Sequence, residues 1–229
     1  MKTIGVLGGM GPAATLDFLS RLQAATGAKR DQDHVHVLVD LNPQVLDRNA
    51  ALRGEGPSPE GDLVAMAQGL ERQGAAALVM VCNSAHAWAK PVQSAVSVPL
   101  IDLIAETADA VAALGVKRAG VLAASAALDA GLYQVALAER GIEPLTLSGD
   151  DLAAFMTLLY RIKAGATGEA ERAEMLNLAA VLIAAGAEAV VSGCTEVPLV
   201  LSAADLSVPL VNSTQVLVER TLAFARREG

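Results

Sequence analysis

Aromatic side chains, cysteine and excess positive charge are all scarce in this chain, and each shortage removes a class of function. Only 3% of the 229 residues are aromatic, too few for the stacking platforms that grip single-stranded nucleic acid. Lys and Arg number 17 against 25 Asp and Glu, for a formal charge of −8. No basic stripe is available to neutralise phosphates, so no nucleic-acid partner is expected. The same balance means that an anionic substrate would need cations placed locally. The two cysteines cannot build a zinc site alone, and none of the three histidines stands at ligand spacing to either. No apolar run approaches the roughly 20 residues of a membrane span. The stretch from Met1 to Ser20 loosely mimics a signal peptide, but Gly8, Gly9, Gly11 and Pro12 interrupt it. The expectation is a cytoplasmic protein without a membrane partner, in which thiols stay free.

The chain is rich in small apolar residues, with 53% hydrophobic overall, enough for one or two substantial cores. It also repeats itself. The segment from Gly74 to Ser84, GAAALVMVCNS, is answered by GAEAVVSGCTE from Gly186 to Glu196. In each, a glycine ends an alanine-rich stretch, an apolar run follows, and a cysteine stands eight residues after the glycine. KTIGVL from Lys2 pairs with KRAGVL from Lys117, and VPLID from Val98 with VPLVN from Val208. Gly5 precedes Cys82 by 77 residues and Gly120 precedes Cys194 by 74. Two similar halves of ordinary domain size follow.

Within each half, apolar runs alternate with amphipathic stretches. Strands are expected at Thr3–Leu7, Val35–Val39, Ala77–Val81, Ala119–Ala123 and Glu188–Ser192. Helices are expected from Pro12 and over Asp62–Gln73, Glu106–Leu114, Asp151–Ala164, Gly168–Ala185 and Gln215–Arg226, with a loop over Arg53–Gly61. That rhythm predicts an α/β fold of two pseudo-symmetric domains, each a parallel sheet flanked by helices. Ligands of such sheets collect beyond the carboxyl ends of the strands, where both cysteines fall.

The first glycine cluster carries two readings. Gly9, Gly11 and Ala14 fit a dinucleotide fingerprint, with Asp40 ending the next strand. Pro12 removes one amide from that loop, and a tight turn that brings backbone close to a small ligand fits equally. A nucleotide reading leaves the matched cysteines unexplained.

Buried cysteine is ordinary core material, but Cys82 and Cys194 are each followed by polar residues (Asn83, Ser84; Thr195, Glu196). Inversion of a carbon stereocentre gives a reason for a matched pair. One group removes the α-proton from one face, the other returns a proton to the opposite face, and the roles exchange in the reverse direction. An ordinary thiol is only a few per cent ionised at neutral pH, so such a pair needs one sulfur ionised and the other protonated. Amides at the mouth of a following helix favour a thiolate.

Taken together, GGMGPAAT from Gly8, NPQVLDR from Asn42, CNSAH from Cys82 and GCTEVPL from Gly193 resemble the cofactor-independent aspartate/glutamate racemases, and more closely their aspartate branch. The resemblance covers nearly the whole chain. It implies residues 1–100 plus 211–229 as one domain carrying Cys82, and 101–210 as the other carrying Cys194. The active site would lie in the cleft between them, with neither pyridoxal phosphate nor a metal. It further implies a homodimer acting on a small acidic amino acid, with Cys82 and Cys194 as the two acid/base groups. Asn83, Ser84 and Thr195 would hold the α-carboxylate and amino group, Met10 would offer backbone contact, and Arg48 and Lys163 would bind the distal carboxylate. Ordinary loop, cap, core and surface roles remain open for these residues. Ser125 stands where such sequences often carry threonine, Asn212 where many carry aspartate, and Ala123-Ala124 replaces a glycine-containing turn. His86 and Glu196 are spaced either to polarise the neighbouring thiols or to satisfy backbone and cap the next segment. Related branches isomerise maleate, racemise hydantoins or decarboxylate arylmalonates. The decarboxylases keep one cysteine, which the pair here disfavours. Outside enzymes, the alternative is a ligand-binding protein on the duplicated scaffold.

Overall fold

The computed structural model describes residues 1–227, so the last two positions of the expected C-terminal segment lie outside the described residues. The first sheet contains β1 (Ile4–Gly8), β2 (Val37–Leu41), β3 (Ala77–Met80) and β4 (Leu100–Ile101), in the order β2-β1-β3-β4. The second contains β5 (Arg118–Leu122), β6 (Glu143–Thr146), β7 (Ala189–Ser192) and β8 (Leu210–Asn212), in the order β6-β5-β7-β8. Every pairing is parallel. The central strands β1, β3 and β7 are buried along their whole lengths, as expected of parallel strands covered on both faces. Two parallel four-stranded sheets flanked by helices are the fold that the sequence rhythm predicts.

The internal repeat has a packing basis. Gly5 on β1 lies against Leu70 and Ala75, and Gly120 on β5 lies against Leu182 and Ala187. Leu70 and Leu182 come from the helices Glu60–Arg72 and Glu169–Ala184. Those helices therefore approach their sheets closely at a strand glycine in both halves. Each then turns through a glycine of positive φ, Gly74 or Gly186, into the strand that carries its cysteine.

Several elements depart from the expected boundaries. β2 runs Val37–Leu41 rather than Val35–Val39, because its ladder with β1 begins at the Ile4–Val37 pair. The two VPL motifs form the short strands β4 and β8. Asp102, just after β4, and Asn212, the last residue of β8, are N-caps: Asp102 accepts from the Ile104 and Ala105 N–H groups and Asn212 from the Gln215 N–H. The neutral Asn212 thus does the capping work that Asp102 does in the first half. β6 contains Pro144, which an edge strand tolerates. The helix Ser213–Ala225 leaves β8 of the second sheet and packs on helices Pro12–Thr26 and Leu103–Ala112. Its Leu217, Val218, Leu222 and Ala225 share a buried cluster with Ile4, Val6 and Phe18. Of the described residues, no helix is long and apolar enough to cross a membrane.

A methyl group on Gly120 would meet Leu182 Cβ at 2.8 Å and Ala187 Cβ at 3.2 Å. Gly120→Ala is therefore expected to destabilise the fold by ~1–3 kcal/mol. Gly61, in the helix Glu60–Arg72, has nothing near a would-be Cβ, so Gly61→Ala should stabilise by roughly 0.5–1 kcal/mol. Urea midpoints of the two variants check the opposite signs.

Candidate active site

Cys82 and Cys194 each stand two residues past the end of the equivalent strands β3 and β7, at the carboxyl edge of their sheets. Both are free and buried. Both line one cavity whose lining is drawn from the two halves, the kind of place where a small ligand binds. Met10, Arg48, Asn49, Cys82, Asn83 and Ser84 come from the first half. Ala124, Met156, Leu159, Tyr160, Lys163, Cys194, Thr195 and Glu196 come from the second. Eight of the nine residues proposed from sequence thus meet at one place. Ser125 is the exception: its neighbour Ala124 forms the wall, while the Ser125 backbone N–H points at Met156 Sδ, 3.3 Å away.

Glu196 organises the second wall. Its side chain is almost fully buried, and Oε1 faces Lys163 Nζ at 3.1 Å. Its other oxygen, Oε2, accepts from the Cys194 thiol at 2.9 Å and from Thr195 Oγ1 at 3.4 Å. Burial pushes the Cys194 thiol well above its ordinary pKa, and the Glu196 charge pushes the same way, partly offset by Lys163. Burial alone would lower the Lys163 ammonium. The Glu196 carboxylate, helped by the two cysteines, more than offsets it and holds Lys163 above its ordinary value. Cys194 is thus a protonated thiol donating to a carboxylate that pairs with Lys163.

His86 has a different role from the thiol-polarising one. The Leu103 N–H, which can only donate, points at His86 Nε2 from 3.1 Å. The ring proton is therefore on Nδ1, which donates to the Cys82 carbonyl oxygen at 2.8 Å. The imidazole fixes the Cys82 peptide against the start of the helix Leu103–Ala112 and leaves the sulfur alone. Among the described residues, Cys82 Sγ has no hydrogen-bond partner.

Asn83 is held from the other half of the molecule. Tyr133 Oη donates to Asn83 Oδ1 at 2.6 Å, and Asn83 Nδ2 donates to Ser213 Oγ at 3.4 Å. Ser213 Oγ donates in turn to the Ser192 carbonyl at 2.6 Å. Ser192 ends β7, two residues before Cys194, so this buried run joins the two cysteine loops. Burial pushes the Tyr133 phenol up and keeps it a donor. Sequence reading missed Tyr133, Ser192 and Ser213 because their partners are far away in the chain. Asn49, Met156, Leu159 and Tyr160 were missed too. For Asn49 a signal existed: Asp47 caps the short helix Arg48–Leu52 through the Asn49 and Ala50 amides, and that helix sets Asn49 beside Arg48. The Arg48 guanidinium is anchored by Nη1 to the carbonyls of Val45 (2.9 Å) and Leu46 (2.8 Å).

The glycine loop does not keep every amide free for a phosphate. Gly9 N–H is spent on Thr15 Oγ1 at 3.0 Å, and that hydroxyl donates to the Gly11 carbonyl at 3.1 Å. The loop is a tight turn that presents Met10 to the cavity. Among the described residues, no group of three or more His, Cys, Asp or Glu is placed to hold a metal.

Two matched sheets thus each deliver a thiol to one cavity. A family model described as Asp/Glu/Hydantoin racemase matches residues 7–221, and the chain belongs to that family as an amino-acid racemase, an isomerase. It is 25% identical over 224 residues to the broad specificity amino-acid racemase RacX of Bacillus subtilis (strain 168), an alignment spanning 96% of each chain. Its structure is similar to that of the Picrophilus torridus aspartate racemase, with a TM-score of 0.90 and 26% identity over 100% of this chain and 96% of that one. The glutamate racemase of Francisella tularensis, solved with D-glutamate, shares the fold at a TM-score of 0.71 and 18% identity, covering 97% of this chain and 80% of that one.

Burial holds the His86 imidazole below its ordinary pKa. It therefore contributes stability that is fully present above the unfolded value of about 6.5 and is lost as pH falls through the lowered folded value. Melting temperature should fall more steeply below pH 6.5 in the wild type than in His86→Gln, once the loss common to both is subtracted. Parallel curves would contradict the assignment.

Proposed function

We propose that the chain interconverts L- and D-aspartate, with glutamate as the nearest further substrate, by a two-thiol, cofactor-independent proton transfer at Cα. The observation that carries this reading is that two cysteines, one from each half, line one cavity together with Arg48 and Lys163. The likeness to an aspartate racemase and to an amino-acid racemase of broad specificity supports it.

In this reading Asn83, Ser84 and Thr195 receive the α-carboxylate, and Cα–H points at one sulfur. With Cys194 as the proton donor, Cys82 serves as the base in this direction. It takes the α-proton and becomes a thiol. The carbanion then takes the proton of Cys194, which leaves a thiolate beside Glu196, and Lys163 limits the repulsion between those two negative charges. The opposite direction exchanges the two sulfurs.

Charge selects the substrate. Lys163 pairs with Glu196, which leaves Arg48 as the lining cation without a carboxylate partner among the described residues. One distal carboxylate balances it.

Cys82→Ser and Cys194→Ser should each lower racemisation at least ~10²–10⁴-fold, the usual contribution of a positioned acid or base. Chiral chromatography of the product measures this, and full activity in either variant would rule out the two-thiol account. Arg48→Ala should raise KM for dicarboxylic substrates about tenfold or more, the size of a lost charged hydrogen bond of ~1.5–3 kcal/mol. Neutral amino acids, if turned over, should be spared.

A further inference from the structure

Two buried polar atoms of cavity-lining residues have no partner among the described residues: Arg48 Nε and Asn49 Oδ1. Their neighbours show that the fold does not need the Asn49 amide. The helix cap is Asp47, Arg48 is anchored through Nη1, and Asn49 joins the local network only through its backbone. A buried side-chain carbonyl without a donor is costly, and native sequences seldom keep one without use.

The other acceptors of the wall are engaged. Asn83 Oδ1 receives Tyr133, Glu196 Oε1 faces Lys163, and Glu196 Oε2 receives Cys194 and Thr195. Asn49 Oδ1 is thus the free side-chain carbonyl or carboxylate oxygen among the described lining residues. An amino acid brings one group that only donates, its α-ammonium.

We infer that Asn49 is a substrate-binding residue whose Oδ1 accepts a hydrogen bond from the substrate α-ammonium, while the adjacent Arg48 Nε–H donates to a carboxylate oxygen of the same molecule. A neutral carbonyl holds the ammonium without cancelling its charge, which stays available to the carbanion forming at Cα. The inference rests on the amino-acid reading of this cavity and names the contact that separates an amino acid from a plain dicarboxylic acid.

The test compares two ligands that differ only in the ammonium. KM for L-aspartate and the inhibition constant of succinate are measured on the whole protein for wild type, Asn49→Leu, Asn49→Ala and Asn49→Asp. Leu and Ala should raise the aspartate KM about tenfold and leave succinate within twofold. Asp keeps the shape and an acceptor, so it should weaken succinate more than aspartate and move the ratio the other way. Equal weakening of both ligands in all three variants would overturn the assignment, as would constants that do not move. Succinate inhibition also reports that the cavity is intact. If wild type ignores aspartate but racemises another amino acid, the acidic assignment alone fails. The same comparison is then run with that amino acid and its deaminated analogue.

Discussion

Two sulfurs on different sheets can act on one carbon only if the sheets hold a fixed separation, and the buried run from Tyr133 through Asn83 and Ser213 to Ser192 meets that constraint. Asn83 directly follows Cys82 and Ser192 stands two residues before Cys194, so a shift of one half against the other would break bonds in a site that water does not readily repair. Buried polar networks of this kind stabilise one arrangement only when every member is satisfied. His86 adds a second brace by tying the Cys82 carbonyl to the Leu103 amide. The helix Ser213–Ala225 starts in this network and packs into the first half, so the core of one half and the site between the halves share an element.

The fold is symmetric and the chemistry in it is not. Strand order, parallel pairing and cysteine position repeat in both halves, yet only Cys194 carries a carboxylate on its sulfur. Burial and the Glu196 carboxylate both raise the Cys194 thiol above its ordinary pKa, and Lys163 partly offsets them. A thiol paired with a carboxylate thus stands on one side only of a duplicated scaffold. Burial magnifies each of these charges, because the low local dielectric weakens screening.

What the sequence disclosed was what repeats locally. Gly5 and Gly120, the helix-ending Gly74 and Gly186, and the cysteines eight residues beyond could all be read as one pattern. In space these positions are the close helix–strand contacts and the strand ends. Elements too short for periodicity escaped: β4 and β8 hold two and three residues, and β6 is an edge strand with a proline. Tyr133 reads in sequence as one more apolar-face residue, and nothing near it announces a hydroxyl bond to Asn83, 50 positions away. Ser125 is a different case. The family resemblance offered its hydroxyl to the substrate, and among the described residues it is Ala124, the N-cap of the helix Ser125–Asp129, that lines the cavity.

The central claim is that two different groups handle the proton on the two faces of Cα. Incubation of the protein with L-aspartate in D2O, followed by proton NMR of the separated enantiomers at early times, tests it most directly. A two-thiol exchange predicts D-aspartate that carries deuterium at Cα while the remaining L-aspartate keeps its protium, because the returned hydrogen comes from a sulfur equilibrated with solvent. Protium carried over into D-aspartate would contradict the account. So would deuterium entering recovered L-aspartate as fast as it enters the product, because either result requires a single group to serve both faces.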